Sequence, residues 1–238
     1  FTDPNQGTKS ADYIADNNLA QKIAIIYNSS DAYSSGIYNN FVKEAQAKGL
    51  EVVSAEAFTD DSKTDFSVQL NKSKSSGADL VFLPIYAQEA SQILEQANTM
   101  GYQTTFFGCD GLDGILAIEG FNTSLAEGVI LLTPFVAGDT KSQANVNFTN
   151  KFKEKYKDTP NQFAADAYDA IYILAECMKN GNVTADMSVS DVCEILKAEI
   201  VKVTYDGLTG DGITFAADGS VNKSPNAMKI QNGDYIPM

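Results

Sequence analysis

Two tyrosines and one aspartate stand where three apolar segments of the sequence end. Tyr33 follows KIAIIYN, Tyr86 follows ADLVFLPI, and Asp110 closes TTFFGCD. A phenol ring offers flat apolar area with a polar hydroxyl, and a carboxylate supplies a counter-charge for a cation. If these three side chains converge, they suit a small ligand that carries an ammonium group.

Each of the three residues also has an ordinary structural interpretation. Tyr33 could pack as a loop anchor, and Tyr86 could cap the sheet with its hydroxyl in water. Asp110 is followed by Gly111, and Asp-Gly is common turn chemistry. Taken singly, none of them indicates a function; only their convergence on one edge would.

The elements that would position these residues alternate regularly in the first half of the chain. After a helical stretch at 6–18, apolar periodicity and glycine stops predict five strands separated by helices. The predicted strands are 22–28, 51–58, 78–85, 104–110 and 127–135, and the predicted helices between them are 34–49, 65–77 and 87–101.

Strands joined by helices of this length predict an α/β fold with a doubly wound parallel sheet. Five such strands commonly take the flavodoxin-like order 2-1-3-4-5, and ligands bind at the carboxyl ends of the strands where the order reverses. In this order the first, third and fourth strands are adjacent. Tyr33, Tyr86 and Asp110 are therefore expected at one edge.

The second half has a different composition. Three helices are predicted at 142–158, 163–181 and 189–200, with apolar faces but no sheet of their own to cover. Short strands are predicted at 212–220, with an Asp218-Gly219 turn, and at 227–237, where Asn232-Gly233 is a hairpin signal.

Composition excludes several classes of function. The net charge is −14, and all 17 basic residues are lysines, so binding to phosphate backbones is disfavoured. Histidine is absent, which removes Ser-His-Asp and Cys-His catalysis and histidine metal sites. We expect no enzyme activity, no metal and no cofactor. A flavodoxin-like enzyme is further disfavoured because NSSDAYSSG lacks a phosphate-loop pattern.

The three cysteines leave the cellular compartment open. Cys109, Cys177 and Cys193 have no CxxC spacing, so a thiolate metal cluster is not expected. Cys177 and Cys193 lie on neighbouring predicted helices and could form a disulfide. Buried free thiols are the alternative.

Several segments resemble the type I periplasmic binding proteins, the solute receptors of ABC importers for branched-chain and related amino acids. The similar stretches run in order along the whole chain: DPNQGTKSADYIADNNLAQKIAIIYNSSDAYSSG, TDFSVQLNKSKSSGADLVFLPIYAQEA, FFGCDGLDG, AEGVILLTPF, FAADAYDAIYILAEC and GITFAADGSV. The resemblance implies two lobes with a ligand between them.

The resemblance assigns roles residue by residue. Tyr33 and Tyr86 match tyrosines that line the ligand cleft, and Asp110 matches the acidic residue that pairs with the α-ammonium of the ligand. Phe163 matches an aromatic residue of the facing lobe. Gln6 and Gly7 match a QG pair at the start of the first helix, for which a structural role is implied.

The resemblance also implies a domain organisation. Residues 1–134 and 225–238 would form the ligand-binding lobe two, and 135–224 the helical remainder of lobe one, whose N-terminal part is expected to be lacking here. The implied partners are an amino acid and ABC permease subunits, with no nucleic acid. The implied location is the periplasm or the cell surface as a lipoprotein, with the signal peptide removed. A ligand-sensing domain of a receptor or regulator with the same fold is the alternative.

Overall fold

The computed structural model describes all residues, 1–238, and the chain forms two compact units. Unit 2 contains Asp3–Thr133 and Asn226–Met238, and unit 1 contains Phe1–Thr2 and Pro134–Pro225. The assignment of residues to the lobes of a binding protein stays a prediction. No helix is both long enough and apolar enough to cross a bilayer.

Seven helices and seven strands make up the regular structure. The helices are α1 (Asp3–Asp16), α2 (Ala32–Ala47), α3 (Ser67–Ser75), α4 (Ala87–Thr99), α5 (Gln143–Tyr156), α6 (Gln162–Asn180) and α7 (Val189–Ile200). The strands are β1 (Lys22–Asn28), β2 (Glu51–Phe58), β3 (Leu80–Leu83), β4 (Thr105–Gly108), β5 (Ile130–Thr133), β6 (Asn226–Gln231) and β7 (Asp234–Pro237).

All seven strands form one sheet in the order β2-β1-β3-β4-β5-β6-β7. The first five strands are parallel, so the predicted α/β class and the order 2-1-3-4-5 are confirmed. β6 and β7 extend the sheet as an antiparallel hairpin beside β5. The predicted turn at Asn232-Gly233 is also present, and both residues have positive φ, at 55° and 77°.

The centre of the sheet is buried on both faces. Every residue of β3 and β5 is buried, which explains why these segments are continuous apolar runs and not alternating ones. Phe82 of β3 stacks on Phe41 of α2, with ring centroids 4.1 Å apart. This contact packs α2, which carries Tyr33, against β3, the strand that precedes Tyr86.

Gly7 lets α1 approach α2 closely. A Cβ atom at position 7 would collide with the backbone carbonyl of Ile37 and lie 2.8 Å from the backbone nitrogen of Phe41. The buried face of α1 consists of Gln6, Gly7, Ser10, Ala11 and Ile14. Helix α1 is therefore packed tightly onto α2 through a residue that must be small.

Unit 1 is built around three helices and irregular chain. The carboxylate of Asp169, in α6, is 1% exposed and accepts hydrogen bonds from the amides of Leu208 and Thr209, each at 2.9 Å. The Thr209 hydroxyl donates to the same carboxylate at 2.8 Å. Asp169 thus fastens the loop after α7 to α6.

Apolar side chains of unit 1 remain exposed. Along α6, Phe163, Ile171 and Tyr172 are 49%, 67% and 50% exposed. Val189, at the start of α7, is 81% exposed. Within unit 1 nothing covers these faces, as the sequence pattern predicted.

The predicted strand at 212–220 is wrong. This segment makes only isolated bridges, Tyr205 with Ile213 and Phe215 with Val221. The predicted turn does form, because the Gly219 amide donates to Ala216 O at 2.9 Å and Gly219 has φ of 85°. No neighbouring strand is available to extend the bridges into a ladder. All three cysteines are free: Cys109 and Cys177 are buried and Cys193 is exposed.

Candidate ligand-binding site

Asp110 lies at the carboxyl edge of the sheet. β4 ends at Gly108, and after Cys109 the residue Asp110 opens the short 3-10 helix Asp110–Leu112. Its side chain is half-buried. The carboxylate is therefore held at the strand edge where the fold places ligands.

The hydroxyl of Tyr33 joins Asp110 to the chain that follows it. Tyr33 lies in the first turn of α2, and its hydroxyl donates to Asp110 Oδ1 at 2.7 Å. The amide of Gly111 in turn donates to the same hydroxyl at 2.9 Å. The single phenolic proton of Tyr33 is thus directed at the carboxylate.

This contact requires close packing. A Cβ atom at position 111 would lie 2.6 Å from the Tyr33 hydroxyl and 2.7 Å from the backbone oxygen of Ile85. Burial, and next the negative charge of Asp110, raise the pKa of the Tyr33 phenol well above its ordinary value. Tyr33 therefore stays a neutral hydrogen-bond donor at physiological pH.

Tyr86 completes the aromatic part of the site. It precedes α4 as its N-cap residue and is 46% exposed. Its ring stacks on Tyr33 with centroids 4.6 Å apart and planes 20° apart. The two rings form a flat apolar surface beside the Asp110 carboxylate.

The surroundings of Tyr86 are negatively charged. Burial raises the pKa of the Tyr86 phenol, and the carboxylates of Asp31, Asp110, Asp3 and Glu89 raise it further. A potential of this sign attracts a cationic group and repels an anionic one.

Gln6 is the site residue that sequence reasoning missed. Its side chain is 1% exposed, and Nε2 donates to Asp110 Oδ2 at 2.8 Å, while Oε1 accepts from the Asp110 amide at 3.3 Å. One turn further along α1, the Ser10 hydroxyl lies 3.5 Å from Cys109 Sγ. The only available signal was the QG pair, for which a structural role was expected.

Phe163 lies in the other unit, at the second residue of α6. Its side chain is 49% exposed. Its predicted contact with the ligand stays a prediction.

A polar cavity of about 190 Å³ opens beside Tyr86, at the ends of β1, β2 and β3. Asp31, Asp60 and Glu89 line it, together with Lys63. The Lys63 ammonium lies 3.7 Å from both Asp60 and Glu89. Although three carboxylates line this cavity, neither they nor any other group of acidic or thiol side chains in the chain is arranged so that it could hold a metal ion.

The fold agrees with comparisons to known proteins. The sequence profile of the periplasmic binding protein family matches residues 1–234. The chain belongs to this family.

Among members of the family, the chain is similar to amino-acid-binding proteins. The Leu/Ile/Val-binding protein of Escherichia coli is 28% identical over 210 residues, which are 88% of this chain and 54% of that protein. The chain thus spans about half the length of the relatives it matches.

Two solved structures are similar over the whole of this chain. The branched-chain amino acid transporter substrate-binding protein of Streptococcus pneumoniae, in complex with isoleucine, has 26% identity and a TM-score of 0.84, and 66% of that chain is covered. A solute-binding protein of an R. palustris ABC transporter, in complex with benzoate, has 19% identity and a TM-score of 0.85, with 63% of that chain covered. The second likeness concerns the fold alone.

Proposed function

We propose that this protein is an extracytoplasmic substrate-binding protein of an ABC transporter and that it binds a branched-chain or related amino acid. Asp110 receives the α-ammonium, and the stacked rings of Tyr33 and Tyr86 contact the body of the ligand. The protein binds its ligand without transforming it. It acts in the periplasm or as a cell-surface lipoprotein and delivers the ligand to permease subunits in the membrane.

The observation that carries the proposal is the Asp110 carboxylate, which two neutral donors, Tyr33 and Gln6, hold at the carboxyl edge of the sheet. Donors of this kind stabilise the ionised form of the carboxylate. An ammonium ligand is then the complementary partner. The amino-acid ligands named for the relatives support the same chemistry.

The carboxylates around Tyr86 support an amino acid over an aromatic acid such as the benzoate bound by one structural neighbour. A benzoate ion carries no cation for Asp110 and would bring its charge toward several carboxylates. We therefore expect leucine, isoleucine or valine to bind, and benzoate to bind at least about 100-fold more weakly, because juxtaposed like charges cost several kcal/mol.

Calorimetry on the full-length protein tests the proposal. L-leucine, L-isoleucine, L-valine and benzoate are titrated into the wild type and into Asp110→Asn. Removing the charge partner of a buried ammonium costs about 2–5 kcal/mol, so Asp110→Asn should abolish measurable amino-acid binding.

The matched control is Asp79→Asn. Asp79 is also a carboxylate of unit 2, but it accepts from the Lys22 amide at 3.0 Å, at the amino ends of β1 and β3. This variant should bind like the wild type. Unchanged affinity in Asp110→Asn, or tighter binding of benzoate than of any amino acid, would refute the proposal.

A further inference from the structure

We propose that Gln6 is a positioning residue for ligand binding, which orients the Asp110 carboxylate toward the ammonium of the ligand. This inference rests on the proposed function. It concerns a residue that does not itself touch the ligand but acts through Asp110.

Both ends of the Gln6 amide contact the same residue. Nε2 donates to Asp110 Oδ2 at 2.8 Å, and Oε1 accepts from the Asp110 amide at 3.3 Å. These two contacts fix which end of the amide faces the carboxylate, because only the nitrogen can donate to it. The side chain and the backbone of Asp110 are thus tied to one rigid group.

The two carboxylate oxygens of Asp110 are each held by a different helix. Tyr33 in α2 donates to Oδ1, and Gln6 in α1 donates to Oδ2. Rotation about the side-chain bonds of Asp110 would break at least one of these hydrogen bonds. The carboxylate plane is therefore set before a ligand arrives, and preorganisation of this kind increases affinity.

The support for Gln6 is itself rigid. Gln6 is 1% exposed, and the neighbouring Gly7 is packed against the backbone of α2. Ser10, one turn later on the same face, contacts Cys109, the residue before Asp110. Helix α1 therefore contacts both Cys109 and Asp110, the segment that positions the carboxylate.

The inference predicts a specific pH signature for the isosteric variant Gln6→Glu. In this variant a carboxylate replaces the amide that donates to Asp110 Oδ2, and two carboxylates this close cannot both be ionised without a large cost. They can share a proton, which restores a donor. The variant should therefore bind poorly at pH 8 and should recover as the pH falls toward 5.5.

Other titratable groups surround this pair. The Tyr33 phenol faces Asp110 from α2, and the Cys109 thiol precedes Asp110; burial raises the pKa of both. Asp3 of α1 and Asp31 before α2 add negative charge in the region, and burial raises the pKa of Asp3. Asp3 and Asp31 favour the shared proton, whereas the Tyr33 hydroxyl, which donates to Asp110, favours the ionised carboxylate. The N-terminal ammonium acts against Asp3 and Asp31, since it lowers the pKa of Asp3.

The experiment is calorimetric titration of L-isoleucine into the full-length wild type, Gln6→Ala and Gln6→Glu at pH 8, 7, 6 and 5.5. Unsatisfied hydrogen-bonding groups should weaken binding by about 5- to 100-fold in Gln6→Ala at every pH. In Gln6→Glu the loss should be at least as large at pH 8 and should shrink at least about tenfold by pH 5.5.

Gln96→Glu is the matched control. Gln96 in α4 also uses both ends of its amide, since Nε2 donates to Thr64 O at 3.0 Å and Oε1 accepts from the Phe66 amide at 2.7 Å. Its replacement perturbs folding in a similar way but should leave the affinity and its pH profile unchanged.

The outcomes separate the two proposals. If the wild type binds L-isoleucine and the Gln6 variants bind it equally well, or if Gln6→Glu shows the pH profile of the wild type, the role of Gln6 is refuted while the proposed function stands. If the wild type binds none of leucine, isoleucine and valine, the proposed function fails, and the role of Gln6 fails with it.

Discussion

The hydroxyl of Tyr33 lies 2.7 Å from Oδ1 of Asp110 and donates to it, while the Gly111 amide donates to the hydroxyl at 2.9 Å. The only proton of this phenol is thus engaged within the protein. In the proposed binding mode Tyr33 would therefore contact the ligand with the face of its ring and not as a hydrogen-bond donor. The half-exposed Tyr86, stacked on it, has the more accessible hydroxyl.

The first prediction concerns this hydroxyl. Tyr33→Phe should lower the free energy of unfolding by about 1–3 kcal/mol, because the Gly111 amide loses its acceptor and Asp110 loses a donor. Urea unfolding measures the change. Tyr13→Phe is the control, since the Tyr13 hydroxyl contacts only the sulfur of Met238, at 3.9 Å, and should have little effect. Equal stability of the two variants would contradict the prediction.

The second prediction concerns Gly111. Gly111→Ala should destabilise the protein by about 1–3 kcal/mol, because the new methyl group would crowd the Tyr33 hydroxyl and the Ile85 carbonyl. Part of this cost should disappear in Tyr33→Phe. A double-mutant cycle in urea should then show a coupling of at least about 0.5 kcal/mol. Strict additivity would mean that the two groups do not compete for the same space.

The third prediction compares two helical glycines. Gly7→Ala should cost at least about 2 kcal/mol, because backbone atoms of α2 cannot move aside for the methyl group. At Gly36 the nearest atom to a new Cβ is 4.0 Å away, so Gly36→Ala should be neutral or stabilise by up to about 1 kcal/mol through helix propensity. Thermal unfolding of both variants provides the measurement. If Gly7→Ala is neutral or stabilising like Gly36→Ala, helix propensity and not packing against α2 governs position 7.

The fourth prediction is a pH dependence. Burial raises the pKa of the Cys109 thiol, so the folded state keeps its proton when the unfolded state, with a pKa of about 8.5, has lost it. The stabilising contribution is complete below pH 8.5 and is lost as the pH rises above it. For one such thiol the loss between pH 8.5 and 9.5 is about 1 kcal/mol.

Cys109→Ala should remove this contribution to the loss of folding stability above pH 8.5, whatever the effect of the substitution on stability at pH 7. The measurement is urea unfolding at pH 7.5, 8.5 and 9.5 in the presence of a reductant. Cys193→Ala removes an exposed thiol and serves as the control. If the two variants lose stability with pH equally steeply, Cys109 does not contribute.

The fifth prediction concerns unit 1. Asp169→Ala should destabilise this unit by about 2–4 kcal/mol, because the buried amides of Leu208 and Thr209 lose a charged acceptor. Hydrogen exchange of these two amides should accelerate. Asp211→Ala, which removes an exposed carboxylate, is the control. If the Leu208 and Thr209 amides stay equally protected from hydrogen exchange, Asp169 does not stabilise this part of unit 1.

Much of the fold was accessible from the sequence because its signals were local. Buried parallel strands read as continuous apolar runs, and glycines mark the ends of the helices between them. β1 and β2 have the predicted bounds, and the hairpin turn at Asn232-Gly233 has the backbone that its residues favour. The prediction of a strand at 212–220 was wrong because alternating apolar residues and a turn form a strand only where a neighbouring strand can pair with them.

The candidate site was accessible only in part. Topology places the carboxyl ends of adjacent parallel strands together, which was enough to expect Tyr33, Tyr86 and Asp110 at one edge. Gln6 could not be found in this way, since it lies on a helix and is separated from Asp110 by 104 positions. The contact between Gln6 and Asp110 depends on how α1 packs against α2. In the sequence, only the small residue Gly7 indicated that this packing is close.

The antiparallel hairpin of β6 and β7 has a consequence for the order of assembly. β5 is synthesised before the whole of Pro134–Pro225, yet β6, its hydrogen-bonding partner on the side away from β4, begins only at Asn226. During translation, one edge of β5 therefore has unpaired backbone N–H and C=O groups until β6 is made. Such an edge can pair with a wrong segment. Completion of unit 2 depends on residues that are made only after Pro134–Pro225, so a ribosome that stalls within this segment leaves unit 2 without β6 and β7.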